Sequence, residues 1–396
     1  MPKQVWLLII GMLVNVVGSS FLWPLNTIYM NEYLGQTLSM AGFVLLLNAG
    51  AGVIGNLVGG VLFDKIGGYW SIFIGSVLSF VTLIGLVLWH GWPTYVWFLI
   101  LLGFSSGIVF PAMFALVGTI WPEGGRKAFN AIYLAQNLGV AIGPALAGLV
   151  ASYNMEAIFS INLVMYILFF LIAAIGFRGF DQLGNGSKVK EVVEVSKDAS
   201  KAPFYSLLLV SLAFLLCWIV YSQWSTTLST HTQNLGLSLK EYSLLWTING
   251  LMILLLQPIV SPLIKRWHNR VKMQLAFGII VMMISFFIII FAENFTMFAV
   301  SMIIVTVGEV FVWPAVPTIA SQLAPIGRDG FYQGIVNSAS TIGKMIGPFF
   351  GGVMVDQYGM TALILVLCVV FLVAIIPAIF YDRPMKNSEI NIKSAD

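Results

Sequence analysis

Gly139-Val140-Ala141-Ile142-Gly143-Pro144-Ala145-Leu146-Ala147-Gly148 is matched further along the chain by Gly343-Lys344-Met345-Ile346-Gly347-Pro348-Phe349-Phe350-Gly351-Gly352. Gly, Gly-Pro and Gly stand at the same spacing in both, and Gly143 and Gly347 are 204 residues apart. Working outward, Pro111-Ala112 recurs as Pro314-Ala315 at an offset of 203. Leu34-Gly35 and Asn48 recur as Leu235-Gly236 and Asn249 at an offset of 201. An offset this steady in apolar sequence indicates that one unit was duplicated.

The material being duplicated is apolar throughout. Of 396 residues, 59% are hydrophobic and 9% charged, with a mean hydropathy of +0.95. Soluble domains carry roughly 25% charged residues, so a water-facing surface cannot be built from this chain. A helix needs about 20 apolar residues to cross a bilayer core. Twelve such stretches run at 5–30, 38–62, 69–89, 94–120, 128–151, 157–177, 204–229, 240–264, 272–292, 296–323, 330–355 and 360–381. The expected fold is an all-α membrane protein of twelve transmembrane helices in two pseudo-symmetric six-helix bundles. Residues 1–177 form the first bundle and 204–396 the second, ending in a short tail. Between them 178–203 is a polar linker with Lys188, Lys190, Glu191, Glu194, Lys197, Asp198 and Lys201.

The basic residues orient the chain. With the N-terminus inside, the inner segments hold 17 of the 19 Lys and Arg, all but Lys240 and Lys344. By the positive-inside rule both termini and the linker are cytoplasmic, in a cell (inner) membrane. The start Met1-Pro2-Lys3-Gln4 leads into an apolar run too long for a signal-peptide core and is read as a retained first span. Cys217 and Cys368 lie in apolar runs as packing residues, and His90, His231 and His268 lack ligand spacing, so no metal or other cofactor is expected.

Two charges interrupt the apolar spans. In Val307-Gly308-Glu309-Val310-Phe311-Val312-Trp313-Pro314 an acid sits deep in span ten, and Lys344 sits in span eleven. A charge at mid-membrane costs several kcal/mol unless it is paired, wetted or neutralised, which makes such residues functional candidates. At 1.5 Å per residue the two lie at similar depth. Glu309 is the candidate proton carrier and Lys344 its partner or a competing charge, the alternative being a fixed ion pair that never titrates. Parallel repeats with a site between halves near the midplane are a secondary-transporter pattern.

Between spans two and three stands Gly60-Val61-Leu62-Phe63-Asp64-Lys65-Ile66-Gly67-Gly68. This resembles the cytoplasmic loop signature of the major facilitator superfamily, G-x-x-x-D-R/K-x-G, although Gly68, Tyr69 and Trp70 replace its trailing basic residues. The resemblance covers essentially the whole chain. It implies that Gly60, Asp64, Lys65 and Gly67 form a conformational latch in which Asp64 faces the electropositive N-terminus of another helix. The alternative is a helix-ending turn with a solvated Asp–Lys pair. Gly139, Gly143, Pro144 and Gly148, echoed by Gly343, Gly347 and Pro348, are similar to the signature of the antiporter branch; small residues four apart also serve plain helix packing. Drug/proton antiporters commonly carry an arginine in span four, but Trp97–Gly103 has no basic residue. Gly308-Glu309 followed by Pro314 and Pro317 resembles multidrug/proton antiporters that keep a glutamate in span ten.

The remaining candidate cavity residues are neutral. Asn15, Ser19, Asn26, Asn48, Tyr133, Gln136 and Asn137 come from the first half. Trp218, Tyr221, Gln223, Trp224, Trp246, Asn249, Phe311 and Trp313 come from the second. Aromatic rings with a few amides suit large amphiphilic or cationic ligands, through area burial and cation–π contact. The expected activity is export of such compounds in exchange for protons. The partners are a small amphiphilic substrate, protons and the lipid bilayer, with no nucleic acid, and the chain is expected to act as a monomer. A carrier for one defined metabolite, lipid or sugar is the alternative within transport, and a non-transporting receptor or scaffold the alternative outside it. No nucleophile–base pair, phosphate loop or metal cluster points to an enzyme.

Overall fold

The computed structural model describes residues 1–22, 25–180, 201–267 and 270–385. Most of the linker, with Lys188, Lys190 and Lys197, lies outside these residues, as do His268 and the tail with Lys386 and Lys393. The described chain is helical, and no strand occurs among the described residues.

The long helices are α1 (Lys3–Leu22), α2 (Leu38–Ile66), α3 (Gly68–Leu88), α4 (Thr94–Ile120), α5 (Arg126–Tyr153), α6 (Ala157–Leu171), α7 (Ala202–Tyr221), α8 (Leu239–Arg266), α9 (Val271–Ile289), α10 (Phe295–Val312) and α11 (Asp329–Phe380). Short polar caps start several of them. Thr37 accepts a hydrogen bond from the Met40 amide, and Asn294 one from the Met297 amide. Ser238 and Glu241 form a reciprocal capping box: the Glu241 carboxylate takes the Ser238 amide at 2.8 Å, and Ser238 Oγ takes the Glu241 amide at 3.2 Å.

Ten helical segments among the described residues are long and apolar enough to span a membrane. Two features separate this number from the twelve stretches in the sequence. Of α8 only the shorter apolar segment Glu241–Leu256 bears on this count of the described residues. And α11 runs for 52 residues, about 78 Å at 1.5 Å per residue against a hydrocarbon core of about 30 Å. It breaks at Gly359, with φ 80° and ψ 171°. Gly67, between α2 and α3, has nearly the same geometry, φ 89° and ψ 167°. That region of backbone space is open essentially only to glycine, so each position turns the chain with a single residue.

The described residues fall into two compact units, Met1–Asp198 with Ala324–Ser338, and Ala199–Leu323 with Ala339–Asp396. In the first, Leu8 and Met12 of α1 pack with Met113 and Val117 of α4 and Phe129 of α5. A second cluster gathers Phe21, Tyr29, Tyr95, Phe159 and Tyr166. Many large apolar side chains stay outside: Trp6, Phe43, Ile54, Leu149, Ile175, Leu255, Ile259 and Phe349 are all exposed. In water such a surface would aggregate; in a bilayer it is the solvated face.

Candidate functional site

Helix α10 places Glu309 inside the second unit, 2% exposed. Side chains at i−3 and i+4 share its face, whereas a residue two positions away points roughly 200° around the helix. Thr306 and Trp313 therefore accompany Glu309. Phe311 turns elsewhere and packs on Phe277, with ring centroids 5.1 Å apart.

Two neutral donors meet the carboxylate. The Tyr221 hydroxyl donates to Glu309 Oε2 at 3.0 Å and Asn249 Nδ2 donates to the same oxygen at 2.9 Å. Asn249 Nδ2 also reaches Thr306 Oγ1 at 2.8 Å, and that hydroxyl donates to the Met302 carbonyl at 2.6 Å. Three helices thus converge on one acid. Thr306 was not among the sequence candidates, although its i−3 spacing from Glu309 was a readable signal.

An aromatic wall continues from this point. Trp218 and Trp313 stack at 4.6 Å with an interplanar angle of 11°. Tyr221 meets the Trp218 and Trp313 rings edge-on, each at 5.4 Å. Trp246 lies 6.4 Å from Tyr221 and donates its indole N–H to Tyr242 Oη at 2.9 Å. Lys344 Nζ rests over Trp218, 4.0 Å from the ring centroid. The described partner of this lysine is a tryptophan face, while Glu309 is bonded to Tyr221 and Asn249.

The other candidates are spread out. Gln223 donates to the Gly347 carbonyl at 2.7 Å, and Trp224, fully buried, packs against Phe286. In the first unit Asn26 accepts from Tyr95 Oη at 2.8 Å, and Asn48 donates to the Leu99 carbonyl at 2.6 Å. Asn137 donates to the Tyr133 carbonyl at 2.9 Å, and Ser19 to the Val16 carbonyl at 3.3 Å. Asn15 is buried and Gln136 half-buried. Asn26 and Asn48 join separate elements of the first unit, whereas Asn137 and Ser19 bond the backbone of their own helices.

The two glycine motifs form matching contacts. A Cβ on Gly143 would meet Ser20 Oγ and stand 2.7 Å from the Val17 carbonyl of α1. A Cβ on Gly347 would meet Ser222 Oγ and stand 2.8 Å from the Ile219 carbonyl of α7. Gly139 and Gly343 pack likewise, on Val16 and on Trp218. Pro144 and Pro348 lie inside their helices, where each removes one backbone hydrogen bond.

At the other end of the first unit Asp64 caps α11. Its Oδ1 accepts the Gly330 amide at 2.7 Å and its Oδ2 the Phe331 amide at 2.9 Å. A carboxylate across two amides of a helix N-terminus is favoured by both hydrogen bonding and the helix dipole. Gly60 packs against the Gly330 backbone, so a side chain there would separate the two helices. Lys65 is exposed. Among the described residues no group of His, Cys, Asp and Glu could hold a metal ion.

Ten segments long and apolar enough to span a membrane, with an acid buried in one of them, are a pattern compatible with a membrane transporter. The chain is a member of the Major Facilitator Superfamily, whose family model matches residues 8–232 and 213–395. It is 52% identical over 395 residues to the MFS-type transporter YttB of Bacillus subtilis (strain 168), covering 100% of this chain and 99% of that one. It is 23% identical over 369 residues to the quinolone resistance protein NorA of Staphylococcus aureus (strain MSSA476), covering 90% and 91%. Among solved structures it resembles the human organic anion transporter MFSD10 (TETRAN) in fold, with a TM-score of 0.77 and 16% identity over 96% of this chain and 100% of that one. YttB and MFSD10 carry the name of transporters, and the superfamily is one of transporters and not of enzymes.

Proposed function

We propose that this transporter exports amphiphilic or cationic compounds in exchange for protons by alternating access, with Glu309 as the proton carrier. The observation that carries the reading is the buried carboxylate held by Tyr221 and Asn249, two groups able to serve either protonation state. As a carboxylate, Glu309 accepts from both. As an acid it has a hydrogen to donate, and the Tyr221 oxygen accepts it, or the Asn249 amide turns its oxygen to it. A carrier must hold and release a proton at similar cost, and neutral dipolar partners meet that need better than a fixed counter-charge. The kinship with a quinolone resistance protein supports drug export.

In this reading twelve spans form two six-helix halves, α11 supplying two spans by its break at Gly359 and α8 the eighth. Both termini and the linker are cytoplasmic, in a bacterial inner membrane, and the monomer is the working unit. Asp64 on the α11 N-terminus is the latch. The glycine–proline motifs hold α5 on α1 and α11 on α7 through the cycle. The test is efflux of structurally unrelated dyes from proteoliposomes under an imposed pH gradient, comparing the wild type with Glu309→Gln. Transport of several dyes that stops in the variant supports the reading. A single accepted substrate would favour a dedicated metabolite carrier, and unchanged efflux would remove Glu309 from the coupling.

A further inference from the structure

Among the described residues Lys344 is a charge set within an apolar span of the second unit that the proton cycle leaves unused. Its neighbours Gly343 and Gly347 are buried against α7, whereas Lys344 itself is exposed and extends over Trp218. Trp218 belongs to the same wall as Trp313, Tyr221 and Glu309. The ammonium is therefore directed along the polar, aromatic side of the unit rather than out among the apolar side chains that face lipid.

A ring face offsets only part of what an ammonium loses on leaving water, and it accepts none of the three N–H bonds. Trp218 adds a second unmet donor: its indole Nε1 is buried and has no hydrogen-bond partner. Two adjacent donors with no acceptor, beside a stacked pair of indoles, describe a receptor for a flat molecule that carries a negative group. We infer that Lys344 and Trp218 form the recognition point for an anionic group on an aromatic substrate. Its acidic oxygens draw the Lys344 ammonium off the indole, and its ring system takes the Trp218 face so vacated, the other face being covered by Trp313. This rests on the carrier reading and narrows it, since acidic and zwitterionic aromatic amphiphiles then outrank purely cationic ones. It also separates two duties: Glu309 handles the proton and Lys344 the cargo's charge.

Equilibrium binding to the purified full-length protein tests this without any pH gradient, and so independently of coupling. The probes are 2-naphthoate, its neutral carboxamide, and the cationic dye ethidium. Wild-type protein should bind the carboxylate at least about tenfold more tightly than the carboxamide, the scale of one charge-assisted hydrogen bond. Lys344→Gln should erase that preference while ethidium binding persists or tightens, and Lys344→Arg should restore it. Equal affinity of the wild type for carboxylate and carboxamide overturns the inference whether or not any variant folds. So does a preference that survives in Lys344→Gln. Loss of pH-driven transport in Glu309→Gln with this charge preference intact would separate the two proposals.

Discussion

Tyr221 donates its hydroxyl hydrogen to Glu309 Oε2 at 3.0 Å across 88 residues of sequence, and the same phenol ring packs edge-on against Trp218 and Trp313. One side chain thus connects the acid to the aromatic wall. A change of hydrogen bonding at Glu309 has a direct route to the ring surface on which a flat ligand would lie.

Glutamine matches glutamate in size and cannot titrate. Glu309→Gln should bring dye efflux driven by a pH gradient down to that of protein-free vesicles. Binding of the same dye without a gradient should remain, because Tyr221 and Asn249 keep a polar partner.

Removing one donor to a buried carboxylate costs roughly 1.5–3 kcal/mol. Tyr221→Phe keeps the ring packing and deletes only that bond, so the pH-driven exchange rate should change by tenfold or more and the melting midpoint should fall in keeping with that loss. Asn249→Ala should be the more damaging substitution, since its amide also bonds Thr306. Initial rates and melting in detergent measure both, and equal rates for Tyr221→Phe and wild type would refute the role of the bond.

Gly347→Val places carbon against Ser222 and the Ile219 carbonyl. Overpacking of this kind costs about 1–3 kcal/mol or more. Its melting midpoint should drop clearly, whereas Gly352→Ala, with nothing within 4 Å of the added carbon, should melt near wild type.

Asp64→Ala strips two amides of their acceptor, at a cost of about 0.5–2 kcal/mol for a capping side chain. Hydrogen exchange at Gly330 and Phe331 should speed up accordingly. Asp64→Asn, which keeps one acceptor oxygen but no charge, should fall between. Exchange unaltered by Asp64→Ala would show that the cap does not hold the start of α11.

Gly359→Val would force a β-branched residue to φ near +80°. The strain is about 1–2 kcal/mol or more, and the variant should show a reduced melting midpoint and poor membrane insertion on expression.

By itself the sequence determined the class of protein, an all-helical membrane transporter of a recognisable superfamily. Apolar run length decides that a segment crosses a bilayer, and a lone acid in such a run stands out because burying it is costly. Only the tertiary structure decided which groups meet that acid. Helical period says that Thr306, Glu309 and Trp313 share a face and Phe311 does not, but not that Tyr221 and Asn249 come from two other helices to meet them. Sequence left Lys344 as a partner or competitor of Glu309; packing set it on the Trp218 ring. It also gave Asn26, Asn48 and Asn137 separate partners, the Tyr95 hydroxyl, the Leu99 carbonyl and the Tyr133 carbonyl, because each amide bonds whatever its own helix contacts provide. Residue type fixes what a side chain is able to bond, and the crossing of helices fixes what it reaches.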